Sequence, residues 1–466
     1  MNADEVLRRA LRIVKPSGRD ARRLHSIVEK ALKIAKMESS KIDGIVDVTL
    51  EGSAAKNTWI KGREEADIFI HFDPNISREE LKEKIIRLGV EVIQKLGGEP
   101  RLMYADHPYV EGSLNGVTVD VVACYRTEPL KWISATDRTP YHTRYVIENL
   151  KPGQEDEVRL LKGFMVGCGV YGAEIRVKGF SGYLTELLVI NYGSFLNVLR
   201  EAAEWRSPIV LDPGKHYESR DEVLELFKGN PIIVVDPVDK GRNAAAAVSE
   251  TRLCEFILAA KLFLEKPSLR FFSRKEKKVR ISDVKRLAKD RHFLYVYFKL
   301  KEERPPDVIW GELKRSEEGA SKALERLGFT VYRSGSWTDE QAVCLLVFEL
   351  NQVNLSRYMI HRGPPVHIEN AENFVSRWLK KGIGPWVEGN RLYVLRKRDE
   401  VNAAKLLKSE IAQGRIAISK GIINEVKAGK IGDNLDYLIR IGKKRRDLLK
   451  FLASFLQAKP PFLENE

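Results

Sequence analysis

From residue 21 to 37, ARRLHSIVEKALKIAKM sets Leu24, Ile27, Val28, Ala31, Leu32 and Ala35 at helical spacing. The segment therefore predicts an amphipathic helix with one buried face. The first residues, MNADEVLRRALRIVKPSGRD, mix acids and bases through their apolar positions and predict a second amphipathic helix, not a signal peptide. The period then drops to two. IVDVTL (45–50) alternates like a half-buried strand, DIFIHF (67–72) predicts another, and VTVDVVACY (117–125) a third. Between the last two, Ser77-Arg78-Glu79-Glu80 has the form of a capping box. It opens a helix with Leu81, Ile85, Val92 and Ile93 facing inward. Residues 21–125 thus predict an α+β unit whose acidic residues sit on strands.

Further along, the polar stretch ENLKPGQEDE (148–157) marks a boundary. Residues 157–200 predict helices broken by Gly-rich turns, GCGVYGAE (167–174) and GFSGY (179–183). A turn-rich segment, VVDPVDKGRNAAAAVS (234–249), leads into a helix through about 265. Then FLYVYFKL (293–300), EEGASKALERLG (317–328) and AVCLLVFEL (342–350) read strand, helix, strand. That order predicts a small split βαβ or RRM-like sheet, although no RNP aromatic signature accompanies it. The last 65 residues predict helices, including LDYLIRIGKKRRDLLKFLASFL (435–456). The expected organisation is α+β and multidomain: a head over 1–145, a mainly helical neck over 146–262, a basic α/β body over 263–400 and a basic helical tail over 401–466.

Composition narrows the class. A chain of 466 residues with 43% hydrophobic content is long enough for two to four domains. No run of about 18 apolar residues occurs, so a soluble, cytoplasmic protein without a membrane span is expected. Cys124, Cys168, Cys254 and Cys344 lie far apart with no CxxC spacing. They predict small buried residues, not a zinc site or a disulfide framework. The net charge is +14, and the excess is clustered. Residues 261–300 hold 13 Lys/Arg against 4 Asp/Glu, and residues 401–466 hold 13 against 7. Clustered positive charge points to a polyanion, nucleic acid first.

Candidate chemistry starts at LEGSAAKNTWIKGREEADIFI (50–70). Side chains at i and i+2 of a strand share a face, so Glu65 and Asp67 present two carboxylates together. Two like charges this close raise each other's pKa, and a divalent cation removes the conflict. Oxygen-only ligands favour Mg²⁺. Asp120 interrupts an otherwise apolar strand and is the candidate third ligand of a two-metal site. Glu64 should face the other way and is read as a surface residue. Gly52 permits close backbone approach, and the Ser53 hydroxyl with nearby amides can cradle a phosphate.

Gly52-Ser53…Glu65-Ala66-Asp67…Asp120 resembles the signature of the nucleotidyltransferase superfamily that includes polymerase-beta-like enzymes. KNTWIKG, HPYVEG, VDVVACYR, SATDRTPYH, EVRLLKGF, GVYGAEIRVKGFSGYLTELL, VVDPVDKGRNAAAA and PSLRFF narrow the resemblance to archaeal-type class I CCA-adding enzymes, tRNA nucleotidyltransferases. It is dense over about 40–272 and thins towards 400. The resemblance implies a polymerase-beta-like head that restores the 3′-terminal CCA of tRNA from CTP and ATP without a template. Glu65 and Asp67 would hold two Mg²⁺ ions, and Asp120 would share the one at the primer hydroxyl. Ser53 and Lys56 would bind the triphosphate. His142, Lys162 and Tyr171 would line the nucleotide and its phosphates, and Arg242 would read the base. The tRNA would be approached from its acceptor stem and T-arm side, and a homodimer is left open. Glu51, Ala54-Ala55 and Ala66 depart from the family pattern without removing a ligand. A poly(A), oligo(A) or partial C- or A-adding enzyme keeps the same site. A non-catalytic RNA-binding protein with a transferase fold is the reading from another class.

Overall fold

The computed structural model describes residues 3–104, 107–273 and 279–463. Part of the basic stretch 261–300 therefore lies outside the described residues. Two compact units emerge, one within Met1–Glu276 plus Lys459–Glu466 and the other within Lys277–Ala458.

In the first unit, α1 (Ala3–Val14) and α2 (Gly18–Ser39) realise the two N-terminal helical periods. There follow β1 (Ile45–Glu51), the four-residue α3 (Gly52–Ala55), β2 (Glu65–Phe72), α4 (Arg78–Leu96), β3 (Arg101–Tyr104), β4 (Pro108–Leu114) and β5 (Val117–Tyr125). The sheet order is β1-β2-β5-β4-β3. β2 and β5 run parallel; the other pairs are antiparallel. One face buries Ile68, Ile70, Val119 and Val121 under Leu24 and Val28 of α2 and Leu81, Ile85 and Val92 of α4. Alternation then sends Asp67 and Asp120 to the opposite face. Ser77 caps α4 by accepting the Glu80 amide at 3.2 Å, worth about 1 kcal/mol. The Glu80 carboxylate pairs with Lys84 at 2.6 Å.

The same unit continues with α5 (Thr139–Asn149), α6 (Gln154–Cys168), α7 (Gly182–Tyr192), α8 (Phe195–Glu204), β6 (Ile209–Leu211), α9 (Arg220–Leu226), β7 (Ile232–Asp236), β8 (Asp239–Asn243) and α10 (Glu250–Glu265). Phe164 of α6 anchors its core, with Phe195, Phe256 and Phe263 at centroid separations of 5.6, 6.2 and 5.5 Å. The segment expected to be a turn-rich helix entry contains the β7–β8 hairpin. Its buried run Ile232–Val235 favours a strand. The Asn243 side chain closes the hairpin by accepting the Val234 amide and donating to the Ile232 carbonyl. Cys124, Cys168 and Cys344 are buried, whereas Cys254 is exposed on α10, so one of the four is not a core residue.

The second unit holds α11 (Ile281–Ala288), β9 (His292–Lys299), α12 (Pro306–Leu327), β10 (Val331–Thr338), β11 (Val343–Leu350), β12 (Tyr358–Pro365), α13 (Ala371–Trp378), β13 (Ile383–Glu388), β14 (Arg391–Lys397), α14 (Ala403–Ala412), α15 (Ile423–Ala428), β15 (Lys430–Gly432), α16 (Asp436–Gly442) and α17 (Arg446–Gln457). Its main sheet has the order β10-β11-β9-β15, all antiparallel. That is the strand order of an RRM-like sheet. The fourth strand comes from the C-terminal stretch expected to be wholly helical. β15 is three residues long and lacks the alternation that marks a strand in sequence. Both faces of the sheet are covered. Leu294, Val296 and Phe298 pack towards α12 and α14, while Phe293, Tyr295 and Tyr297 pack under α16 and α17. Among the described residues, this sheet therefore leaves nucleic acid no open aromatic face to stack on. A smaller sheet, β12-β14-β13, completes the unit.

Candidate active site

Four carboxylates cross the other face of the first sheet in register. Asp67 on β2 lies opposite Asp120 on β5. Glu51 on β1 lies opposite Asp67, and Glu111 on β4 lies opposite Asp120. Paired positions on neighbouring strands face the same side, so the row is contiguous. Glu65, two residues before Asp67, joins it from the start of β2. Burial, then the Glu65 charge, pushes Asp67 up to about 7. Burial, then Asp67 itself, pushes Asp120 up to about 8. Burial also raises Glu65 and Glu51.

Asp120 Oδ1 and Glu51 Oε2 are buried without a hydrogen-bond partner. Among the described residues, no three His, Cys, Asp or Glu side chains converge as a ready-made metal cluster. The fit to a cation rests instead on the row. Hard oxygen donors crowd one face, repel one another and leave a buried oxygen unsatisfied, all of which a divalent cation would relieve.

Gly52 sets the edge of this row. Its φ of +68° suits glycine, and a Cβ there would lie 1.8 Å from Asp67 Oδ2. The Gly52-Ser53 turn and the Asp67 carboxylate are thus pressed together. Ser53 is half-buried in α3. Glu64 corrects the surface reading. It does face away from Glu65, but α2 covers that side. Glu64 is buried and accepts from Arg23 Nη2 at 3.2 Å and from the Gly62 amide at 3.3 Å.

The expected lysines meet on a residue not singled out in the sequence, Glu186 of α7. Lys56 Nζ lies 2.6 Å from Glu186 Oε2, and Lys162 Nζ lies 2.9 Å from Glu186 Oε1. Thr58 donates its hydroxyl to Oε1 at 2.5 Å. Lys162 also donates to the Thr58 carbonyl and hydroxyl. Burial alone would raise Glu186, but Lys162 and then Lys56 outweigh it and hold the carboxyl at about 2. Arg159 fixes the same loop by donating to the carbonyls of Asn57 and Trp59. A signal for Glu186 was present: it is the one charged residue in GYLTELLVINY.

Asp236, at the end of β7, gathers the rest. Its Oδ2 lies 2.9 Å from His142 Nε2 and 2.6 Å from Arg242 Nη1, and its Oδ1 accepts from Tyr183 Oη at 3.0 Å. Burial would raise Asp236; the His142 hydrogen bond and the nearby His142 and Arg242 charges hold it at about 2. Burial lowers His142 despite Asp236. His142 stacks on Tyr183 at 4.0 Å, and Lys56 Nζ lies 6.0 Å from the Tyr183 ring centre. Tyr183 therefore bridges the Glu186 and Asp236 clusters. A Cβ on Gly182 would lie 3.1 Å from Tyr171 Oη and 3.7 Å from Lys162 Nζ, which puts the Tyr171 hydroxyl on the lysine side of the site. Asp236 and Tyr183 could have been flagged only through the turn-rich motif and the Gly-Tyr pair that contain them.

Comparison with known proteins shows the family. Residues 28–142 match the family described as nucleotidyltransferase domain, 156–273 the second domain of tRNA nucleotidyltransferase, and 290–432 the C-terminal domain of CCA-adding enzyme. The chain is 39% identical over 418 residues to a CCA-adding enzyme of Pyrobaculum islandicum, covering 89% of this chain and 95% of that one. It is 36% identical over 451 residues to one of Methanothermobacter thermautotrophicus, covering 96% of each. Among solved structures, the Cid1 poly(U) polymerase aligns over 57% of this chain and 94% of that chain, with 13% identity and a TM-score of 0.45. With sequence similarity to CCA-adding enzymes at this level across head, helical segment and C-terminal unit, the chain belongs to the CCA-adding enzyme family of tRNA nucleotidyltransferases.

Proposed function

We propose that this protein completes and repairs the 3′-terminal CCA of tRNA, using CTP and then ATP without a template. The observation that carries the reading is the in-register Asp67–Asp120 pair beside Glu65, with a buried, unsatisfied oxygen on Asp120. Glu65 and Asp67 would hold two divalent cations, and Asp120 would share the one nearer the tRNA hydroxyl. The oxygen-only donor set favours Mg²⁺. When bound, these cations supply charge neutralisation and lower the pKa of the attacking hydroxyl.

The chain's own residues do the positioning. The Gly52-Ser53 turn abuts Asp67 and so sets a phosphate beside the carboxylate row. Lys56, Lys162 and Tyr171 hold the triphosphate, with Glu186 fixing both lysines. His142 and Arg242 meet the nucleotide from the Asp236 hub. A guanidinium can donate to acceptors on both cytosine and adenine, so Arg242 can serve both bases. The tRNA 3′ oxygen bonds to the α-phosphorus, the α–β bridging P–O bond breaks, pyrophosphate leaves, and the hydroxyl proton passes to solvent.

We assign catalysis to the head, residues 1–145, which also supplies Gly52, Ser53, Lys56 and His142 to the nucleotide; further nucleotide and substrate binding to the neck, 146–262; and contact with the acceptor stem and T-arm side of tRNA to 263–400 and the basic tail 401–466. Among the described residues no helix is long and apolar enough to cross a membrane. We place the activity with its tRNA substrate in the cytoplasm.

The test is Mg²⁺-dependent incorporation of labelled CTP and ATP on tRNAs ending before CCA, after C and after CC. Sequential C, C and A addition is expected. No incorporation on any acceptor refutes the reading, and an ATP-only homopolymer shows a different polymerase.

A further inference from the structure

Most cations at this site are already committed to carboxylates. Lys56 and Lys162 share Glu186. Arg242 and His142 share Asp236. Arg159 pairs with Asp156, and Arg138 with Asp239. Arg63 differs. It lies in the exposed turn two residues before Glu65, and its guanidinium carbon stands 5.3 Å from the centre of the Tyr171 ring. Among the described residues it makes no ion pair. Arg63 precedes Glu65 by only two residues, so it stands beside the start of the carboxylate row.

Tyr171 links this arginine to the lysines. Its hydroxyl end reaches towards Lys162, and its ring face carries Arg63. The order Lys56, Lys162, Tyr171, Arg63 thus runs from the Glu186 cluster to Glu65. A triphosphate brings several negative charges into a pocket whose two lysines are half-neutralised by Glu186. Stacking on an aromatic ring leaves the planar N–H fork of an arginine free to donate in its own plane. That fork matches two oxygens of a polyphosphate, and charge-assisted pairs of this kind are the strong ones.

We propose that Arg63 is a further nucleotide-binding residue, which docks the β- and γ-phosphates of incoming CTP or ATP against Tyr171 and retains the pyrophosphate product until release. This inference rests on the nucleotidyl-transfer reading above. Because Arg63 contacts phosphates and not a base, it serves both nucleotides alike.

The test compares the full-length protein with Arg63→Ala and Arg63→Lys. Measured are KM for CTP, ATP and CCA-less tRNA, inhibition by inorganic pyrophosphate, and binding of ATP and AMP in Ca²⁺ by calorimetry. For Arg63→Ala, KM for both nucleotides and the inhibition constant for pyrophosphate should rise together by about tenfold, or ~1.4 kcal/mol. KM for tRNA and the order of C and A addition should stay unchanged. ATP binding should weaken while AMP binding does not, and Arg63→Lys should recover part of the loss. A rise confined to the KM for tRNA would overturn the proposal and place Arg63 on the RNA. Unchanged nucleotide KM and unchanged pyrophosphate inhibition would overturn it as well. If the wild-type protein adds no nucleotide, the transfer reading fails by itself. ATP against AMP binding then decides Arg63: equal affinities in wild type and Arg63→Ala refute it.

Discussion

Replacing Glu186 with Gln keeps the volume of the side chain and removes its charge. Glu186 is fully buried and is held at about 2 against a usual 4.5. At 1.36 kcal/mol per unit, that displacement corresponds to roughly 3 kcal/mol of folded-state stabilisation at neutral pH. The folded value is depressed, so the contribution is present above 4.5 and is lost as the pH falls from there towards 2. Glu186→Gln would also leave Lys162, whose side chain is 2% exposed, without a counter-charge. Breaking a buried pair from one side costs roughly 3–5 kcal/mol. Equilibrium urea unfolding of the full chain at pH 7 should therefore show a loss of that size for Glu186→Gln. The difference from wild type should shrink as the pH is lowered below 4.5. The double variant Glu186→Gln/Lys162→Met removes both charges and should be more stable than the single variant. Nucleotide KM should rise in the single variant, because Lys56 loses its anchor. A loss below about 1 kcal/mol, or a double variant less stable than the single, would refute the account of Glu186 as the buried counter-ion of both lysines.

Three further expectations follow from the same geometry. Asp67→Ala should abolish nucleotide addition while tRNA affinity in a filter-binding assay stays nearly that of wild type, since clustered positive charge and not the carboxylate row carries affinity. Gly52→Ala should cut kcat by about two or more orders of magnitude and lower stability by about 1–3 kcal/mol, because the new Cβ meets Asp67 Oδ2 in a positive-φ turn; full activity would show that the turn and Asp67 can separate. Reversing Lys443, Lys444 and Arg446, exposed at the junction of α16 and α17, to Glu should flatten the salt dependence of tRNA binding by up to about 0.9 in log–log slope for each phosphate no longer neutralised; an unchanged slope would place the RNA elsewhere. Truncation at residue 400 is a poor version of that experiment. It deletes β15 and the helices that cover Phe293, Tyr295 and Tyr297, and so opens the core of the second unit.

Periodicity in the chain was enough for α2, β1, β2, α4 and β5, because each alternates or repeats over a length that only one backbone geometry can bury. The same alternation put Glu65 and Asp67 on one face and made Asp120 conspicuous in an apolar strand. Composition and clustered charge pointed to nucleic acid, and the motif words pointed to the family. What periodicity could not supply was registry between strands. That Glu51, Asp67, Asp120 and Glu111 form one row depends on how four strands, distant in sequence, align their hydrogen bonds. Nor could it supply what covers a face. Glu64 read as a surface residue, yet α2 lies over it, and α16–α17 cover the Phe293, Tyr295 and Tyr297 side of the RRM-like sheet. Glu186 and Asp236 belong to the same class. A buried carboxylate takes its meaning from the cations that folding brings to it, and Lys56, Lys162, His142 and Arg242 come from four separate segments of the chain. Local sequence thus nominated candidate residues for the chemistry. Tertiary contact decided which charges are spent on one another and which, like Arg63, make no ion pair among the described residues.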